Sequence, residues 1–139
     1  MNAHKPRLGL VSLDAPLISN LAVWSNIGLI RQYHENLPAQ DAKRLALDLL
    51  GRLHVASIAE KRNPSLTSEE RFFAMLLRAA MVRNAIVVLD RPFRILTDHR
   101  DGRLILDCLR KLDDLIAETY IFDYTWVKVR YGGADGTEE

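Results

Sequence analysis

Residues 85–92 read Ala85-Ile86-Val87-Val88-Leu89-Asp90-Arg91-Pro92. Five apolar residues run straight into an aspartate, an arginine and a proline. A short, unbroken apolar run predicts a strand over Ala85 to Leu89, buried on both faces as in a parallel sheet. Asp90 and Pro92 then end it. From the residues alone, Asp90 reads as an aspartate closing the strand in a turn with Pro92. Arg91 beside it cannot act as a general base, because a guanidinium stays protonated.

Upstream, Thr67-Ser68-Glu69-Glu70 predicts a helix start. The Thr67 hydroxyl can accept from the amide of Glu70, and the Glu70 carboxylate from the amide of Thr67, a capping box. Phe72, Phe73, Leu76, Leu77 and Ala80 form the apolar face of that helix, and Asn84 ends it. Further upstream, Pro38 suits a first helical turn. Ala42, Leu45, Ala46, Leu49, Leu50 and Leu53 then complete an apolar stripe. A short helical piece from Val55 to Lys61 leads to the breaker Arg62-Asn63-Pro64. Asn20 is expected to cap a helix from Leu21 to about His34, with Val23, Ile27 and Ile30 on one face and Trp24 beside them. Gly28 costs that helix about 1 kcal/mol relative to alanine. Leu8 to Leu13 is a strand ended by Asp14-Ala15-Pro16.

Downstream, Asp98 or Asp101 is expected to cap a helix reaching about Glu118. Its stripe is Ile105, Cys108, Leu109, Leu112, Leu115 and Ile116. Thr119 to Phe122 reads as a strand. Thr125 to Tyr131 reads as another, and residues 132–139 as a flexible, glycine-rich tail. Strand, three or four helices, strand, helix, strand, strand predicts an α/β fold. Its small parallel-type sheet has a helical subdomain, about residues 16–64, inserted after the first strand of a single domain spanning 1–131.

Composition narrows the function classes. A formal charge of +1 on 139 residues gives no argument for nucleic acid. No apolar run approaches the ~18 residues of a membrane span. No signal-peptide core is present at Met1 to Arg7, so a cytoplasmic place is expected. The single cysteine, Cys108, excludes an internal disulfide and reads as a buried structural thiol. His4, His34, His54 and His99 show no metal-ligand spacing.

Three stretches together resemble one family. Leu17-Ile18-Ser19-Asn20-Leu21-Ala22-Val23-Trp24-Ser25-Asn26-Ile27 is similar to the segment after the glutamine loop of ABC transporter ATPases. Ser65 to Arg71 falls where that family carries its signature, and Ala85 to Pro92 where it carries its magnesium-aspartate strand. The similarity runs from about Leu8 to about Val129, the C-terminal two thirds of such an ATPase domain. It implies a truncated P-loop-NTPase-like fold, with Asp90 at a magnesium site and Thr67 and Ser68 at a nucleotide contact. It also implies that the helical subdomain docks on a membrane permease. Leu17, Ile18, Leu21 and Trp24 are the contact patch expected there, with core packing as their other reading.

The departures define the expectation for function. The phosphate loop, G-x-x-x-x-G-K-[ST], is not found: glycines stand at 9, 28, 51, 102, 132, 133 and 136, and none precedes a lysine. The part that would carry it is expected to be absent. The family's glutamine falls at Leu13, its signature reads Leu66-Thr67-Ser68-Glu69, its catalytic glutamate is Arg91, and its switch histidine is matched most closely by Thr125. A carboxylate about 4 Å from a phosphate charge opposes binding by about 1 kcal/mol in water and about 4 kcal/mol at an effective dielectric of 20, which sets Glu69 against nucleotide. Loss of a general base alone removes 10²- to 10⁴-fold in rate.

The expectation is therefore a catalytically inactive, ABC-ATPase-like accessory or regulatory subunit. It would bind no cofactor alone, and ATP with magnesium only if a partner completes the site. The alternative is nucleotide binding in trans within a hetero-oligomeric ATPase. Expected partners are a membrane permease, through which the chain would sit at the inner face of a membrane, or an intact ABC ATPase. A hairpin or a second copy is expected to cover the sheet edge near 119–131.

Overall fold

The computed structural model describes residues 7–98 and 102–122. In chain order the elements are β1 (Leu8–Val11), α1 (Val23–Glu35), α2 (Ala39–Arg52), α3 (Ser68–Ala80), β2 (Ala85–Asp90), α4 (Arg103–Lys111) and β3 (Ile116–Phe122). Short 3-10 turns at Ala56–Ile58, Asn63–Ser65 and Pro92–Arg94 join them. The sheet is parallel in the order β1-β2-β3, and α1, α2 and α3 all lie between β1 and β2 in sequence. This is the α/β architecture with a helical insertion after the first strand that the sequence predicts.

The register aligns Leu10 with Val88 and Val88 with Tyr120. Side chains alternate across a strand, so Leu8, Leu10, Ile86, Val88 and Tyr120 share one face. Gly9, Val11, Val87 and Leu89 share the other, which α3 covers. Double-sided burial of the Ala85 to Leu89 run is not found. Ala85, Val87 and Leu89 are buried, whereas Ile86 and Val88 are half-buried. Among the described residues β1 and β3 each pair on one side only.

The capping box on α3 is formed in both directions: Thr67 Oγ1 accepts from the Glu70 amide at 3.1 Å, and Glu70 Oε1 accepts from the Thr67 amide at 3.0 Å. Helix α1 starts differently from the expectation. Ala22 is its N-cap and Asn20 contributes no cap. Two first-turn amides are taken by a distant loop instead, Val23 by the Lys61 carbonyl at 2.8 Å and Trp24 by the Ala59 carbonyl at 3.0 Å. Pro38 is the N-cap of α2, one position ahead of the first turn. Gly28 lies where a Cβ would come within 2.9 Å of the Ala42 Cβ, so its helix-propensity cost accompanies a close α1–α2 approach.

The fourth helix is shorter than its apolar pattern suggests. It begins after Gly102, with no side-chain cap from Asp98, and ends at Lys111; Asp101 lies outside the described residues. Leu112 is buried at the helix end, and β3 already starts at Ile116. The turn between them is pinned by Arg52, which bonds both oxygens of Asp114 at 2.6 and 3.1 Å and the Lys111 carbonyl at 3.2 Å. Phe72, Ile27, Leu50, Leu76, Leu77, Leu89, Leu96 and Ile105 fill the core. Cys108 is buried there, and burial pushes its thiol up to about 12, which keeps it protonated. The expected strand from Thr125 to Tyr131 and the tail lie outside the described residues.

At Gly9 a Cβ would sit 2.3 Å from the Ala79 carbonyl oxygen, whereas at Gly51 it would meet nothing within 4 Å. Gly9→Ala should therefore lose about 1–3 kcal/mol in urea unfolding. Gly51→Ala, inside α2, should gain up to about 1 kcal/mol. Equal effects at the two positions would contradict the packing described.

Candidate functional site

Asp90 ends β2 with its carboxylate on the less covered face, next to the loop that leaves β1. Ser12, just past β1 and buried, donates its hydroxyl to Asp90 Oδ2 at 2.8 Å and accepts from the Asp14 amide at 3.0 Å. Arg91 turns back over the same carboxylate. Its Nε donates to Asp90 Oδ1 at 3.0 Å and its Nη2 to Oδ2 at 3.2 Å. Asp14 lies 3.8 Å from Arg91 Nη2. The Arg91 hydrogen bonds, and after them the Ser12 bond, hold the Asp90 carboxyl below its ordinary range. A depressed folded-state value means that this stabilisation is present at neutral pH and is lost as pH falls through the acid range.

Magnesium, which the resemblance implies for Asp90, needs near-octahedral oxygen ligands at about 2.0–2.1 Å. Both oxygens of Asp90 are already occupied by hydrogen-bond donors. Among the described residues no three His, Cys, Asp or Glu side chains could hold a metal together. The arrangement does not fit a magnesium site. Leu13 follows Ser12 with its side chain exposed, and offers no polar atom. Thr125 lies outside the described residues.

Thr67 and Ser68 open α3, a 13-residue helix whose N-terminus favours anions. The Thr67 hydroxyl is spent on the cap, and Glu69 and Glu70 fill the first turn with negative charge.

A second feature is an apolar groove of about 500 Å³ beside β1, lined by Leu10, Ile18, Leu29, Ile30, Tyr33 and Val82 among others. Its wall is built by two clamps. Asn26 is buried and takes the Ile18 amide on its Oδ1 at 2.8 Å, while its Nδ2 donates to the carbonyls of Ile18, Leu21 and Ala22 at 3.1, 3.3 and 3.3 Å. Arg78 of α3 donates to the carbonyls of Ala15 and Pro16, the latter at 2.9 Å. Tyr33 is 80% exposed and Ile18 43%. Of the four residues expected in a contact patch, Ile18 alone lines this groove. Leu17 is turned into the core at 4% exposure, because the Asn26 clamp fixes its neighbour and directs it inward. Leu21 and Trp24 are half-buried, and Lys43 sits 5.7 Å from the centre of the Trp24 ring. The sequence reading missed Leu29 and Tyr33. They stand four residues apart on α1, a spacing that puts both on one face.

No protein-family model matches the chain. Individual proteins do. The sulfate/thiosulfate import ATP-binding protein CysA of Mesorhizobium japonicum is 30% identical over 119 residues, 83% of this chain and 34% of that protein. The phosphonates import ATP-binding protein PhnC 1 of a Ruegeria species is 30% identical over 124 residues, 81% of this chain and 46% of that protein. The lipopolysaccharide export ATP-binding protein LptB of Escherichia coli is 24% identical over 86 residues, 62% of this chain and 36% of that protein. These relatives are all ATP-binding proteins of import or export systems. The chain spans between about a third and a half of the length of these relatives. Among solved structures, the dimeric ABC transporter cassette MJ0796 superimposes with a TM-score of 0.63 at 21% identity, over 86% of this chain and 53% of that one. The fold is that of part of an ABC ATPase cassette, and among the described residues no helix is long and apolar enough to cross a membrane.

If Thr67 is a structural cap, Thr67→Ala should lose about 1 kcal/mol of stability in urea unfolding. Thr67→Ser, which can still accept from the Glu70 amide, should lose far less. Equal losses for the two variants would show that the hydroxyl cap is not what the helix start depends on.

Proposed function

We propose that this chain is a non-catalytic, ABC-ATPase-like accessory or regulatory subunit of an ABC-type transporter, held at the cytoplasmic face of the membrane by a permease. The observation that carries this reading is the groove between β1 and α1. Ile18, Leu29 and Tyr33 are exposed beside a wall fixed by the Asn26 and Arg78 clamps. An ordered, apolar groove suits an amphipathic helix laid in by its apolar face. Tyr33 supplies the kind of aromatic anchor on which interfaces depend. The names of the relatives, which are import and export ATP-binding proteins, support a reading in transport.

Three features support the lack of catalysis. Leu13 replaces a polar side chain, Arg91 replaces a base, and Glu69 stands in the first turn where an anion would approach. The α3 N-terminus and the Asp90 carboxylate are what remain to favour the second reading, nucleotide shared with a complete ATPase in trans. Among the described residues the outer edge of β3 has no strand beside it, and bare strand edges invite pairing, by a hairpin or by a second copy.

Co-purification with detergent-solubilised ABC permease subunits of the source organism tests the groove. Ile18→Ser with Tyr33→Ser should weaken capture at least about tenfold, a loss of about 1.4 kcal/mol, with unfolding midpoints preserved. Trp24→Ala, outside the groove, should have the smaller effect. Undiminished capture by the double variant would reject the docking surface. Calorimetry with ATP and magnesium on the chain alone should show no saturable heat, and micromolar binding accompanied by phosphate release would reject the non-catalytic reading.

A further inference from the structure

Adjacent residues in a strand point to opposite faces, so an aspartate and the arginine that follows it do not ordinarily share a hydrogen bond. Here they share two. Arg91 makes this possible by leaving the strand in the left-handed region, at φ 48° and ψ 59°. A non-glycine residue there is strained and persists only when its surroundings fix it. Two hydrogen bonds and a proline do so. The Arg91 amide donates to the Phe122 carbonyl at 2.8 Å, the Arg91 carbonyl accepts from the Arg94 amide at 2.9 Å, and Pro92 opens the 3-10 turn that follows. The turn swings the guanidinium back over the carboxylate it follows, where Nε and Nη2 engage both oxygens, with Asp14 3.8 Å from Nη2.

We infer that Arg91 is a built-in cation that takes the place of a divalent ion at Asp90, holding the ends of β1 and β2 together without metal and closing that corner to one. The inference deepens the non-catalytic reading and rests on it. The logic is one of charge and coordination. Asp90 stands across from Ser12 at the ends of two parallel strands and needs a positive partner. A guanidinium supplies a permanent charge in a planar fork that matches a carboxylate. It also donates to both oxygens and sets a fixed positive charge over them, so a cation approaching Asp90 meets repulsion and a partly occupied carboxylate. Ser12 keeps its hydroxyl on Oδ2, so the corner remains cross-linked from β1 to β2.

Manganese alone, with no nucleotide, is the probe, read by paramagnetic resonance and by thermal unfolding. The wild-type chain should show no manganese binding that Asp90→Asn removes, and its melting temperature should not respond to manganese or to chelator. Arg91→Glu should bind manganese at least about tenfold more tightly than wild type, and the ion should raise its melting temperature. Adding Asp90→Asn to that variant should abolish both effects. Should Arg91→Glu fail to fold without the ion, Arg91→Gln serves instead: it should be less stable than wild type and should recover part of the loss with manganese. Arg91→Lys, which keeps the charge but loses the fork, should fall between wild type and Arg91→Gln in stability. Wild-type manganese binding that depends on Asp90, or no gain of binding in either the Glu or the Gln variant, would overturn the inference. Because no nucleotide is present, these outcomes are separable from the ATP calorimetry that tests the non-catalytic reading.

Discussion

Helix α3 lies so close to β1 that residue 9 has no room for a side chain, the Ala79 carbonyl oxygen standing 2.3 Å from where a Cβ would be. Much of the architecture follows from that approach. It fixes which face of the sheet is inside, so Val11, Val87 and Leu89 pack inward while Leu10 and Val88 turn to the less covered side. It also sets Arg78, the residue before Ala79, within reach of the loop that leaves β1, where its guanidinium takes two consecutive carbonyls. The same helix therefore positions the sheet and builds one wall of the groove.

The parts of the fold that were legible in the sequence are those governed by local chemistry. The capping box at Thr67 and Glu70 needs only residues three apart, and it forms as read. The α2 stripe buries Ala42, Ala46, Leu49 and Leu50 as its spacing requires. The α4 to β3 boundary was misread because Leu112, Leu115 and Ile116 continue a helical period while also fitting a turn and a strand start. What decides it is a partner 62 residues away, the Arg52 fork on Asp114. Asn20 and Asn26 show the same limit. Both are cap-forming residue types, but the loop carbonyls of Ala59 and Lys61 occupy the α1 amides, and Asn26 is the one buried as a clamp.

The candidate site divides in a similar way. That Arg91 cannot serve as a base follows from residue type alone. That it folds over its own neighbour does not, because an extended backbone would point it elsewhere; the left-handed turn at residue 91 is a tertiary outcome, stabilised by the Phe122 carbonyl of β3. Leu17 and Ile18 are alike in the sequence, and the Asn26 bonds to the Ile18 backbone separate them into a core residue and an exposed one.

The charged corner and the groove are joined by one short loop. Ser12 bonds Asp90 and receives the Asp14 and Ala15 amides, on its hydroxyl and its carbonyl respectively. Ala15 and Pro16 carbonyls are held by Arg78, and Ile18 is held at both its amide and its carbonyl by Asn26. Between the aspartate at one end and the groove wall at the other, nearly every residue is tied to a different element. A loop fastened this closely does not need a bound ligand to order it. Its rigidity would reduce the conformational entropy lost on the proposed docking of a helix against Ile18. In that sense the replacement of a metal by a guanidinium and the readiness of the groove are one design. An internal cation keeps the Ser12 end fixed, and the fixed loop keeps the groove formed.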